Sequence, residues 1–320
     1  MNSSGTTLSS FRDTWDNANN RVNRQEADGT RVSWSYDSSY QLTRERRSGT
    51  TFAYDTTYSY DPAGNRKLKI HSGSRTTITL DAANQVVKSV DSTGTTTFSF
   101  DANGNQRLQI ASAGGGTTTN TWDFENRLVK VALPTGILNT FTFSGEGQRV
   151  QIQDSSGTTK QIYDGQKVLL EADQTNTTQS AYTSSPGISG NLVSQKRLLV
   201  PHYHVFDPLG STDRLVGSAQ DVTDTYIYKA FGELLLAGAT TNPFRFRARK
   251  PGYYFDRGSN QFHVNRDLAP SIGRWLSVFT SGIAFPGRLS PHKNWYLFAK
   301  DSPLSDAVGP SLKREPISSV

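Results

Sequence analysis

Cysteine is absent from this 320-residue sequence, which excludes a disulfide framework and any thiolate metal site. No apolar run approaches the roughly 18–20 residues of a membrane-spanning helix. The first residues, Met1-Asn2-Ser3-Ser4-Gly5, lack the positive-then-apolar pattern of a secretory signal. Apolar residues are scarce, at 34% against roughly 45–50% in an ordinary globular domain. Aromatics are not: 13 Tyr, 16 Phe and 5 Trp are too many for a disordered chain. Abundant Ser, Thr and Gly between scattered aromatics fit sheets that bury one face and wet the other. The formal charge of +6 is a mild basic excess.

What the chain does contain is a repeat. An aromatic or large apolar residue followed by Asp recurs at Trp15-Asp16, Tyr36-Asp37, Tyr60-Asp61, Leu80-Asp81, Phe100-Asp101, Trp122-Asp123 and Tyr163-Asp164, with Phe143-Ser144 as a degenerate copy. The second positions lie 21, 24, 20, 20, 22, 21 and 20 residues apart. A glycine stands 12 to 14 residues after each of the first seven, as in Asp28-Gly29, Ser72-Gly73 and Ser156-Gly157. Two turns per period leave room for two strands of ordinary length. Residues between the turns alternate, as in Arg66-Lys67-Leu68-Lys69-Ile70, and helical spacing is missing. Each unit therefore reads as an antiparallel hairpin stacked on its neighbours. The Asp begins a turn in which a short carboxylate accepts backbone N–H bonds, and the preceding ring faces the core. Asp101-Ala102-Asn103-Gly104-Asn105 hints at a calcium loop, but the twelve-residue ligand ladder and its closing Glu are missing.

After residue 195 the style changes. His204-Val205-Phe206-Asp207-Pro208-Leu209-Gly210-Ser211-Thr212 leads to Tyr226-Ile227-Tyr228-Lys229-Ala230-Phe231-Gly232-Glu233. Asn242-Pro243-Phe244-Arg245-Phe246, Gly252-Tyr253-Tyr254-Phe255-Asp256 and Pro270-Ser271-Ile272-Gly273-Arg274-Trp275-Leu276-Ser277 follow. This order resembles the core associated with Rhs repeats, which closes the tyrosine–aspartate (YD) arrays of bacterial Rhs proteins. Related shells occur in toxin-complex C subunits and in teneurins. The resemblance implies an all-β fold: stacked antiparallel hairpins forming a curved or partial β-shell, plugged by the core. Hairpin repeats are expected over 11–170, a Ser/Thr-rich connector over 171–195, the core over 196–285 and a degenerate tail over 286–320.

The residues expected to matter fall in three groups. Asp16, Asp37, Asp61, Asp81, Asp101, Asp123 and Asp164 shape the repeat turns. His204, Asp207, Leu209, Gly210, Ser211, Phe231, Gly232, Gly273, Arg274 and Trp275 carry the core motif. Family members that process themselves use an Arg and acids in the core, and Arg266 and Asp267 occupy that neighbourhood. Where the family's downstream acids would fall stand Val278-Phe279 and Ala307-Val308-Gly309-Pro310. Val and Phe transfer no protons, so Arg266 and Asp267 are expected to form a structural ion pair and the chain to have no enzymatic role. No cofactor is expected, and no metal, since His202 and His204 share a strand face without a convincing third ligand.

The function expected is a structural or encapsulating shell segment. Only ten residues follow Pro310, so a C-terminal fragment without a toxin domain is expected. The alternatives are a cell-surface carbohydrate- or polyanion-binding module, and a self-cleaving aspartyl-type core. Alternation in Arg245-Phe246-Arg247-Ala248-Arg249-Lys250 would set three arginines on one face, and Arg44-x-Arg46-Arg47 reads as outer-face charge. Expected partners are the rest of such a shell or a surface glycan; nucleic acid is not expected. The resemblance implies a secreted or cell-surface location.

Overall fold

In the computed structural model the described residues are 3–49, 52–112, 114–187, 190–249, 253–264 and 266–277. Twenty-one strands, from Phe11–Trp15 to Val222–Thr225, form one sheet. Each strand pairs antiparallel with the next in sequence, so the sheet is a single meander. It curls. Arg24 in the first hairpin reaches Asp207 near the end of the array, at 3.4 Å, and the Ser9 hydroxyl donates to Asp213 at 2.6 Å.

The turn that opens most units has one design. The Asp carboxylate accepts an N–H bond from the residue four places on and, in most, a second from the residue two places on, as Asp101 does from Asn105 at 2.8 Å and Asn103 at 2.9 Å. The residue three places on has positive φ, which explains the preference there for Gly64, Asn84, Gly104 and Asn126. The ring before the Asp turns inward opposite a register shift, and its donor reaches back to the preceding hairpin. The hydroxyls of Tyr36, Tyr60 and Tyr163 donate to the carbonyls of Arg21, Leu42 and Arg149, and Trp122 Nε1 donates to that of Gln106, at 2.6–3.0 Å. Each acceptor is the first residue of the return strand one hairpin earlier. The signature thus shapes its own turn and fastens the unit before it.

Two expectations are corrected at these turns. Tyr163-Asp164 closes a two-residue turn in which Asp164 pairs across to Lys167 and Gly165 has φ 60°, so its side chain stands in solvent. The carboxylate expected there is supplied by Asp173, which accepts from Thr175 at 2.9 Å and Thr177 at 3.0 Å. Asp173 lies within the presumed connector, whose described residues are largely wall strand and turn instead. Thr178–Ser184 pairs on both sides, burying Ser180 and Tyr182 while Thr178 and Thr183 face out. The sheet runs past residue 196 without a break, and Asp207 opens one more turn of the same kind, accepting from Ser211 at 2.8 Å.

From Tyr226 onward the chain enters the curl. A two-stranded ribbon, Ile227–Tyr228 with Leu234–Leu236, precedes a four-stranded sheet of Tyr254–Asp256, Gln261–His263, Asp267–Ala269 and Arg274–Trp275. The largest apolar cluster joins wall to plug: Val32, Trp34, Leu42 and Tyr58 pack with Phe231, Phe246, Phe262 and Trp275. A curled sheet buries its inner face only if something fills the bore, and this plug is the filling. Residues 278–320 lie outside the described residues, as do the expectations for Val278, Phe279 and the segment 307–310.

Replacing Asp101 by Ala removes two backbone acceptances and a third bond from Asn105 Nδ2. Urea unfolding is expected to show a loss of about 1–3 kcal/mol. Asp164→Ala, at an exposed two-residue turn, is expected to stay within about 0.5 kcal/mol.

Candidate functional site: the wall–plug joint and its polar chamber

The plug is bolted to the wall by buried polar groups. On the strand Leu42–Ser48, Glu45 turns inward and is almost fully buried. Its carboxylate accepts from Trp34 Nε1 at 3.2 Å and from the plug's Ala230 N–H at 3.1 Å. Burial pushes the Glu45 carboxyl up, against the pull of these donors, Tyr54 and Lys229. Lys229 and Lys69, one from plug and one from wall, share Glu233 at 2.6 and 2.8 Å. Phe231 meets Tyr58 edge-on at 5.3 Å and takes the Arg66 guanidinium 4.6 Å above its ring.

Two glycines allow this approach. A Cβ on Gly232, at φ 88°, would stand 2.8 Å from Phe246, and one on Gly273, at φ 63°, would meet Phe231 at 3.1 Å. Arg274 then forks onto Asn65 Oδ1 at 3.2 Å from both terminal nitrogens and reaches the Asn84 carbonyl at 2.9 Å, tying the plug to two adjacent repeat turns. Trp275 stacks on Tyr253, and the Leu276 carbonyl accepts from Gln106 N at 2.9 Å. Farther round the curl, Arg149 faces Asp256 at 3.6 Å with both side chains buried, and Glu171 accepts from Tyr254 at 2.7 Å and Arg197 at 2.8 Å.

His204, Asp207, Leu209, Gly210 and Ser211 collect where the last wall hairpins meet the plug. The turn makes two backbone bonds with plug residues: the Gly210 carbonyl accepts from Arg249 N at 2.9 Å, and Thr212 N donates to Arg245 O at 2.8 Å. The Ser211 hydroxyl accepts from Arg247 N at 3.1 Å, and Leu209 packs on the main core. The motif residues therefore form the joint.

Arg266 and Asp267 do not pair with each other, contrary to expectation. Asp267 is buried and bonded to His263 Nδ1 at 3.0 Å, whereas Arg266 lies 4.2 Å over the Trp275 ring. Burial depresses the Arg266 guanidinium to about 10. The run 245–249 is not an outer basic stripe either. Arg245 covers Phe255 at 4.4 Å inside the plug, Phe246 and Ala248 are buried, and burial lowers the Arg245 guanidinium. Arg44 and Arg46 do face outward, but Arg47 points in and forks onto Glu26 at 2.7 Å through both terminal nitrogens.

Between plug and wall lies a chamber of about 330 Å³. Its lining mixes charge with amide and apolar groups, among them Arg66, Lys69, Glu233, Gln106, Asn120 and Phe98. Among the described residues no three His, Asp or Glu side chains gather to hold a metal ion. Glu45, Arg149, Glu171 and Asp256 were missed from sequence. The signal that could have found them is a charged residue alternating with rings on an inner strand face, as in Trp34 opposite Glu45.

Arg274→Ala is expected to cost about 2–4 kcal/mol in urea unfolding, because it strips a buried oxygen and carbonyl of their donor. Arg274→Lys is expected to restore less than half of that loss, since an ammonium lacks the planar fork.

Comparison with known proteins places this geometry. The model of the "Teneurin YD-shell" family matches residues 14–304. The tRNA3(Ser)-specific nuclease WapA of Bacillus spizizenii is 25% identical over 226 residues, covering 69% of this chain and 9% of that protein. The tRNA nuclease WapA of Bacillus subtilis matches with the same figures. The chain thus spans about a tenth of the length of these curated relatives. The crystal structure of TcdB2-TccC3-Cdc42 is similar at 16% identity and a TM-score of 0.45, over 92% of this chain and 19% of that one. The Photorhabdus luminescens Tc holotoxin pore is similar at 16% identity and 0.44, over 92% and 18%. With all but its two ends matched by the family model, this chain belongs to the teneurin YD-shell family.

Proposed function

We propose that this chain serves as an enclosing structural segment, a curved β-wall closed from within by its own plug, and that it has no catalytic role of its own. The observation that supports this most is the direction of its buried polar groups. Glu45, Asn65, Arg149 and Glu171 of the wall all face inward and all engage plug residues. The polar groups are spent on holding the plug and lining a chamber, which suits containment better than recognition at the outer surface. Asp267 is engaged within the plug, its carboxylate bonded to His263 and its backbone carbonyl to Leu276 N. The tRNA nuclease activity named for the WapA proteins belongs to chains of which this sequence matches 9%. What we carry over is the shell of the family whose model matches residues 14–304.

The absence of native cysteine makes a direct test possible. Ser89 lies on the inner face and lines the chamber, while Thr79 lies on the outer face. Ser89→Cys is expected to react with a bulky maleimide at least about tenfold more slowly than Thr79→Cys, because its side chain is buried at the chamber wall and a buried thiol waits on local opening. Equal rates would overturn the enclosing role. The non-catalytic part predicts one unchanged intact mass on prolonged incubation. Self-cleavage that stops in Asp267→Asn would overturn it.

A further inference from the structure

The joint contains a buried histidine whose titration its static role does not use. His204 lies on the strand Val200–Phe206, inward and buried. Its Nδ1 lies 3.2 Å from the Thr212 hydroxyl, which lies 2.6 Å from the Phe244 carbonyl of the plug. A carbonyl only accepts, and a threonine hydroxyl has one proton to give. Thr212 therefore donates to Phe244 and accepts from His204, which puts the imidazole proton on Nδ1. The remaining nitrogen, Nε2, is buried without a hydrogen-bond partner among the described residues. A second proton there would place a charge and a new N–H where no acceptor waits.

The surroundings offer that charge no compensation. The ring stacks on Phe206 at 5.7 Å. On its own strand His202 stands two residues away, and a charge there would repel it. On the following strand Asp213 is engaged by Arg214 at 3.2 Å and by Ser9. On the next, Asp224 is bonded to Thr240 at 2.6 Å. On the preceding strand Arg197 is held by Glu171, and Lys196 is exposed. From the plug, Arg245 points to Asn242 O and Phe255.

We propose that His204 is an acid-sensitive latch: its protonation frees plug residues 240–249 from the last wall hairpins and opens the shell at that joint. This inference rests on the wall-and-plug reading above. Burial, with His202 beside it, holds the docked imidazole down to about 3, whereas a released one titrates near 6.5. Protons therefore favour release. Docking has its full strength above about pH 6.5 and weakens as the pH falls below it, by about 30-fold at about pH 5.

Hydrogen exchange followed by mass spectrometry on the full chain, corrected for intrinsic rates, tests this. Between about pH 7.5 and pH 5, amides of residues 244–249 are expected to lose about 30-fold protection, while wall strands 74–111 keep theirs. His204→Asn keeps an N–H for Thr212 but does not titrate, and is expected to hold its plug protection at both values. An unchanged plug at about pH 5, a loss equal in His204→Asn, or simultaneous loss from plug and wall would each overturn the latch. In the unaltered protein, proton NMR of His204 titrating near the ordinary value of about 6.5 while the plug stays docked would also overturn it, whatever the variant does. Plug amides unprotected already at about pH 7.5 would instead overturn the wall-and-plug reading itself.

Discussion

The structure depends on one local constraint, the turn closed by an aspartate carboxylate behind an inward ring. The carboxylate holds two backbone N–H groups that the turn would otherwise leave unpaired. The ring's hydroxyl or indole N–H then bonds the start of the previous return strand, as Tyr60 does to Leu42. Each unit thereby sets the position of its predecessor, which a meander joined only by ladder bonds would leave freer to slip. Where the residue before the turn has no donor, as at Leu80, Phe100 and Phe143, packing alone must perform that task. Two of these, Leu80 and Phe100, share one small cluster with Ile78, Val86 and Phe98.

The curl follows from the inner face that these turns create. Three inward positions recur per outgoing strand, occupied for example by Tyr60, Tyr58 and Thr56, and by Phe143, Phe141 and Asn139. The third is polar in most units, so the inner face cannot close on itself as an oily core. It needs a filling that answers hydrogen bonds as well as apolar surface. The plug does both, offering Phe231, Phe246 and Trp275 to the rings and Ala230 N–H, Arg274 and Asp256 to the polar sites.

Much of this was legible in the sequence, and the gaps have physical causes. The period was visible because two turns, each with strong residue preferences, recur about 21 residues apart. Asp173 escaped notice because Ala172 precedes it in place of a ring, and the Ser and Thr that follow resemble a linker by composition. On a strand the same residues are simply the outward half of an alternation, with Ser180 and Tyr182 as the inward half. Tyr163-Asp164 had the right letters, but Gly165 directly after it permits a tighter turn in which the carboxylate meets the Lys167 ammonium at 3.4 Å instead of backbone N–H groups. The joint was legible only as a list of motif residues. Which of them touch depends on the curl, and a sequence pattern carries no curvature. Neighbours such as Arg266 and Asp267 were therefore paired on proximity, although their side chains serve different partners.

The charged pairs of the joint are better understood as devices of specificity than of stability. Bringing Glu45, or Arg149 with Asp256, out of water carries a desolvation cost that attraction alone often fails to offset. An apolar plug of equal volume would be expected to bind the rings at least as tightly. It would also bind in many registers, because a curved face of repeating rings presents nearly equivalent sites at every hairpin. Glu45 breaks that equivalence: most hairpins carry no acid at its position, and the N–H of Ala230 answers it from the plug. Arg274 does the same at Asn65 and Asn84, and Tyr254 at Glu171. Three such points around the bore are enough to fix the orientation of a rigid body. A repeat protein that needs one plug in one pose therefore has reason to keep buried charge at its joint, and the proposed latch at His204, through Thr212 and the Phe244 carbonyl, would add a further contact that depends on the proton.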